Sequence, residues 1–145
     1  MRAIIDTNVI IDVVLRRGEF YDDSYRIVQV ASQKLFDGFV IASAVSDIYY
    51  VTRKSTLDTK KAWQEVADLV ELVGICDTRA ADISAALSTD MPDFEDAIVA
   101  AVAKREKADY IVTRNICDYQ NSPVPALTPV EFLKKLDTDF FQEKA

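Results

Sequence analysis

The stretch DFEDAIVAAVAKREKADYIVTRN, residues 93–115, reads as a helix that feeds a buried strand. Pro92 stands just before it, and the alanine-rich run predicts a helix over Asp93 to Lys107. Asp109 to Thr113 is β-branched and apolar, the pattern of a short buried strand. The polar triplet Thr113, Arg114 and Asn115 follows, where a buried strand opens into a loop. Asp93 and Asp96 are three residues apart at the helix start, so they share one face.

The same alternation continues outward. Arg2 to Ile5 reads as a strand ending at Asp6, with Thr7 or Asn8 as the cap of a following helix through Val14. Tyr21 to Phe36 is amphipathic. Phe39 to Ala42 is a second strand, and Ser43 starts a helix that carries Asp47 in its first turn. Asp58 to Val73 is helical and ends at Gly74. Ile75 to Asp77 is a third strand and Arg79 to Leu87 a helix. The loop from Arg114 to Pro125 is polar, and Thr128-Pro-Val-Glu131 is a capping box opening a helix to about Leu136. Short strands separated by helices imply right-handed crossovers and a parallel sheet covered on both faces. The expected fold class is therefore α/β, a three-layer α/β/α sandwich with short parallel strands. Residues 1–137 form its single domain and 138–145 a C-terminal tail, whose Phe140 and Phe141 are candidates for docking on the body or on a partner.

Composition narrows the chemistry. The chain has 145 residues, half of them hydrophobic and three of them glycine, which suits one globular core. No apolar run reaches the length of a membrane span, and the N-terminus lacks a cleavage site, so a cytoplasmic protein without membrane association is expected. Cys76 and Cys117 match no metal or disulfide framework. The formal charge of −7 argues against a broad nucleic-acid-coating surface. Histidine is absent, which excludes His-based hydrolysis and His-ligated zinc. Catalysis must run on carboxylates, hydroxyls, lysine or arginine.

The carboxylates fall where such chemistry is built. Asp6, Asp47, Asp93, Asp96, Asn115 and Asp118 each lie near the end of an element, and the expected topology turns those ends to one sheet edge. Packed acids repel one another unless a cation neutralises them. Oxygen-only ligands suit Mg²⁺ or Mn²⁺. Simpler roles exist for some of them. Asp93 suits an N-cap after Pro92, and Asp96 suits the helix dipole. Asp6 is different, because it ends an apolar strand where an unpaired charge is costly. Asp12 and the pair Asp22-Asp23 read as solvated surface or caps.

DTNVIID (6–12), SAVSDIYYVTRK (43–54), residues 93–115 and CDYQNSPVPALTPVEFL (117–133) together resemble the PIN domain, and most of all its VapC-type toxin branch. The resemblance spans Arg2 to Leu133. It implies an Mg²⁺- or Mn²⁺-dependent endoribonuclease in which metal-activated water attacks a phosphodiester in line, leaving a 5′-phosphate and a 3′-hydroxyl. By position, Asp6 and Asp96 are the metal-binding acids. Asp47 stands where the family usually has Glu, and Asn115 where many members have Asp. Asp93 or Asp118 then completes the shell. Asn8 and Thr113 orient Asp6 and the water. On their own chemistry Arg114 is a candidate phosphate contact, Arg53 and Lys54 are equally candidates for phosphate contacts or for a solvated helix end favoured by the dipole, and Tyr49 and Tyr50 are candidates for stacking on bases or, for one of them, for the core. The implied partners are RNA, a cognate antitoxin that lays a helix or extended segment near the acids, and a second copy of the chain. The rival readings are a PIN-like RNA- or protein-binding module with impaired catalysis, and an aspartate-based phosphatase. The phosphatase reading lacks its second Asp, since Asn8 stands there.

Overall fold

The computed structural model describes residues 1–144, with side chains through 139. Five strands form one sheet: β1 (Arg2–Ile5), β2 (Asp37–Ile41), β3 (Gly74–Cys76), β4 (Tyr110–Val112) and β5 (Ala126–Leu127). Their order is β3-β2-β1-β4-β5, and every pairing is parallel. Seven helices connect and cover them: α1 (Thr7–Val14), α2 (Tyr21–Ser32), α3 (Ala42–Thr56), α4 (Thr59–Leu72), α5 (Ala80–Leu87), α6 (Phe94–Arg105) and α7 (Pro129–Lys144).

Successive strand side chains point to opposite faces, and that divides the core in two. Ala3, Ile5, Val40 and Val112 join Val9, Ile27, Ile48, Leu69 and Phe132 on one face. Ile4, Ile41 and Ile111 join Val99, Ala103, Tyr119 and Val124 on the other. This is the expected three-layer sandwich. Cys76 is buried, Cys117 is exposed, and both are free thiols. Among the described residues no helix is long and apolar enough to cross a membrane.

The local differences have physical causes. β5 was not expected, because two residues carry no periodicity; it is held by register with Ile111 and Val112 of β4. Asp58 and Asp93 are N-caps, not helical residues; their carboxylates accept the N–H groups of Lys61 and Asp96. Asp6 caps α1 in place of Thr7 or Asn8, accepting the Thr7 N–H at 2.7 Å. The Thr128–Glu131 capping box forms in both directions. The helix it opens runs on to Lys144, past the expected end near Leu136. The suggested docking of Phe140 and Phe141 lies outside the described side chains.

Candidate active site

β1 and β4 are neighbours, and Asp6 N–H donates to the Val112 carbonyl at 2.9 Å, so the two strand ends open side by side. Asp6 is 6% exposed and Thr113 fully buried. Thr113 Oγ1 donates to Asp6 Oδ2 at 2.8 Å. Asn8 Nδ2 lies 3.4 Å from the same oxygen and 3.2 Å from Thr113 Oγ1. Asn115 N–H donates to Thr113 Oγ1 at 3.1 Å, and Arg114 N–H to Asn8 Oδ1 at 3.3 Å. Thr113 and Asn8 therefore fix the rotamer of Asp6 and the backbone leaving β4.

Asp96 arrives from α6. Its turn is fixed by the Asp93 cap, 3.0 Å from the Asp96 N–H. The link between the two acids is Tyr119, in the short 3₁₀ turn Ile116–Tyr119. Its hydroxyl sits 3.1 Å from Asp6 Oδ2 and 3.2 Å from Asp96 Oδ1. One phenol proton serves two carboxylate oxygens, so one contact is short of a donor while both acids are ionised.

The electrostatics follow. Burial pushes the Asp6 carboxyl above its ordinary value, against the donors Thr113, Tyr119 and Thr7, and the charge of Asp93 adds to the rise. Asp96 is pushed up to about 7, first by burial, then by the charges of Asp6 and Asp93, with Asp118 adding and Tyr119 opposing. Burial and the two acids hold the Tyr119 hydroxyl far above its usual value. Among the described residues the charges that act most on the two carboxyls are other acids, an excess of negative charge.

The other expected site residues are placed as follows. The charge of Asp93 acts on both Asp6 and Asp96, and that of Asp118 on Asp96. Asp47 is exposed and lies in the second turn of α3, since that helix already starts at Ala42. The Asn115 side chain is exposed, and its backbone makes the tie to Thr113. Among the described residues no three acid or cysteine side chains converge on a ready-made metal cage. Arg114 does not face open solvent as a free phosphate contact. Its Nη2 donates to Asp12 Oδ1 at 3.1 Å, and its Nε lies 2.6 Å from Oδ2 in ion-pair contact, out of line for a hydrogen bond. Its guanidinium carbon also rests 4.1 Å from the centre of the Phe20 ring. Asp12 corrects the surface reading: it is fully buried, and Ser24 Oγ donates to it at 3.2 Å.

Two site residues escaped sequence reasoning. Tyr119 sits in a polar, turn-rich loop with no periodicity to mark it. Asp12 carried a signal, because a helix that is apolar on nearly every side is a buried helix, and so is any acid inside it.

A family model described as PIN domain matches residues 2–117. The chain belongs to the PIN-domain family. No curated protein sequence matches it. Among solved structures, this PIN domain is similar to DNA-bound VapBC from Salmonella typhimurium, at 13% identity and TM-score 0.68 over 89% of this chain and 98% of that one. It is similar to FitAcB from Neisseria gonorrhoeae, at 20% identity and TM-score 0.66 over 88% and 98%. It is also similar to VapC20 of Mycobacterium tuberculosis, a toxin that cleaves the sarcin–ricin loop, at 13% identity and TM-score 0.61 over 75% and 86%. At these identities the likeness is one of fold.

Proposed function

We propose that this PIN domain is an Mg²⁺- or Mn²⁺-dependent endoribonuclease and the toxin of a toxin–antitoxin pair. One observation carries the reading: a buried Asp6 and a half-buried Asp96 share one hydroxyl between them, and further acids are the charges that bear on both. The donor set fits a hard dication, since every candidate ligand is an oxygen. Asp6 and Asp96 would hold it, with Asp93 or Asp118 completing the shell and Asp47 and Asn115 acting from the rim. A bound dication supplies phosphoryl polarisation and a lowered water pKa. The chain's own part is placement. Thr113 and Asn8 hold Asp6 in one rotamer, the Asp93 cap fixes the turn that carries Asp96, and the Asp12–Arg114 pair anchors the loop to Tyr119. Thr113 and Asn8, at the mouth of the loop, are the proposed polar contacts to substrate.

The structural neighbours include complexes of toxin with antitoxin, which supports a small antitoxin as partner. A homodimer belongs to the same reading, and Phe20, Tyr25 and Leu35 in and around α2 are exposed apolar groups suited to it. Sedimentation of the purified chain, with and without the product of the adjacent gene, checks both partners.

The deciding experiment is RNA cleavage under metal titration. Cleavage should require Mg²⁺ or Mn²⁺ and fall steeply in Asp6→Asn and Asp96→Asn. A second reading, a PIN module with impaired catalysis, is favoured by the open arrangement of the acids and the amide at Asn115. Cleavage absent at every metal concentration, with RNA still bound, selects it. A covalent acyl-phosphate on Asp6 would point to a phosphatase instead.

A further inference from the structure

The tip of the α3–α4 hairpin is basic, between flanks that carry Asp47 on α3 and Glu65, Asp68 and Glu71 on α4. The whole chain carries −7, yet residues 49–63 (YYVTRKSTLDTKKAW) hold Arg53, Lys54, Lys60 and Lys61 against one acid, Asp58. That acid is already engaged, because its carboxylate caps α4 at the Lys61 N–H. All four basic residues are exposed. Aromatic rings stand among them. Tyr50 is 62% exposed and Trp63 69%. Tyr49 joins the two, with ring centres 5.1 Å from Tyr50 and 6.2 Å from Trp63. Arg53 is one turn beyond Tyr49 and Tyr50 on the same helix side, and its Nε reaches Thr59 Oγ1 across the turn at 3.4 Å. At the apex Leu57 adopts a left-handed backbone, φ 55°, and stands 89% exposed.

We propose that this hairpin is the arm that holds single-stranded RNA, with the four cations on phosphates and Tyr50 and Trp63 stacking on bases. The proposal rests on the ribonuclease reading and deepens it. Cations interleaved with exposed rings are the two elements of sequence-tolerant single-strand binding. Charge complementarity selects the occupant. A second copy paired hairpin to hairpin across a two-fold axis would set one basic tip against another. α3 starts at the carboxyl end of β2, the strand beside β1, which ends at Asp6.

The test is fluorescence polarisation of a labelled, mixed-sequence 12-mer RNA with the intact protein in EDTA, so that no cutting intervenes. Arg53→Ala with Lys54→Ala should weaken binding on the order of tenfold. The slope of log affinity against log salt should fall by about 1.4, two single-strand contacts at about 0.7 each. Trp63→Ala should weaken binding roughly five- to 150-fold and leave that slope unchanged. Lys134→Ala with Lys135→Ala removes equal charge from α7 and should change affinity less than about twofold. Hairpin variants that bind like the wild type, or an equal loss in the α7 pair, overturn the proposal. So does a hairpin variant that alters the sedimentation coefficient of the free protein, or displacement of the RNA by polyglutamate at matched charge. If RNA binds through the hairpin and is never cut with Mn²⁺, the nuclease reading fails and the arm stands. If RNA is cut and the hairpin variants keep the wild-type KM, the arm fails and the nuclease stands.

Discussion

Asp12 and Asp82 are buried as deeply as Asp6, yet each of them faces an arginine, and among the described residues Asp6 does not. Asp82 sits at the start of α5, where Arg105 donates to it from Nε at 2.9 Å and from Nη2 at 2.9 Å. That pairing holds its carboxyl below the usual range. Asp12 is matched by Arg114 and Ser24. Asp6 receives hydroxyl, amide and backbone donors, its neighbour across Tyr119 is a second acid, and both carboxyls rise. Neutralised acids hold elements together. Acids left without a cation are the arrangement a dication would complete.

Exchanging the charge tests this difference most sharply. Asp6→Asn or Asp96→Asn should lower RNA cleavage by on the order of 10²–10³-fold, while metal-free stability holds or rises because like charges have been removed. The measurement pairs single-turnover cleavage with a urea unfolding curve for each variant. Stability falling in step with activity would make Asp6 and Asp96 structural acids like the others.

Asp12→Ala should do the opposite. It strands the Arg114 guanidinium in a mostly buried pocket and costs about 3 kcal/mol of stability, the range for breaking one partner of a buried pair. The loop carrying Tyr119 then loses its anchor on α1. The urea midpoint reads the loss, and an unchanged midpoint would mean that the pair is solvated enough to dispense with.

These paired and unpaired acids also mark what the sequence can and cannot tell. β1 and β4 were legible because buried parallel strands are continuous apolar runs, and α6 because its alanine run has a capped start. Asp6 was legible because a carboxylate between an apolar strand and an apolar helix has nowhere to be solvated. The partnership of Asp12 with Arg114 joins residues 102 apart in the chain, and no local pattern encodes it. Tyr119 was invisible for the same reason: its role depends on β4 and β5 folding the loop back beneath Asp96.

Tyr119→Phe removes one hydroxyl shared by two acids. Metal-free stability should fall by about 1.5–3 kcal/mol, the worth of a hydrogen bond to a charged group. The loss should shrink in the Asp96→Asn background, where one of the two acceptors has lost its charge. A double-mutant cycle from urea midpoints measures that coupling, and strict additivity would separate Tyr119 from Asp96.

The pH response should separate the two kinds of acid within one protein. Asp96 keeps its proton to about pH 7 in the folded chain, whereas an unfolded aspartate releases it near ~4. The folded state holds the extra proton in between. Metal-free stability should therefore fall as pH rises from about 4 to about 7. Asp6, also raised, adds in the same direction. Asp82 is lowered, so its contribution is present above about 4 and lost as pH falls below it. Urea midpoints across pH should show the upper slope shrink in Asp96→Asn to the part that Asp6 contributes and flatten with Mn²⁺, while the acid limb remains.

Asp47 gives the smallest expected effect and the finest test of where the acid site ends. It is exposed in the second turn of α3, and the bridge through Tyr119 does not include it. A solvated carboxylate at the rim acts on a dication through water and a screened field. Asp47→Ala should then weaken Mn²⁺ binding less than about tenfold, the low end for groups that act through another ligand. Asp47→Glu, with one more methylene, should recover or exceed wild-type affinity. Calorimetric titration of Mn²⁺ reads both. A loss in Asp47→Ala as large as that in Asp96→Asn would place the residue among the direct ligands, and would mean that α3 swings toward the sheet edge when the ion binds.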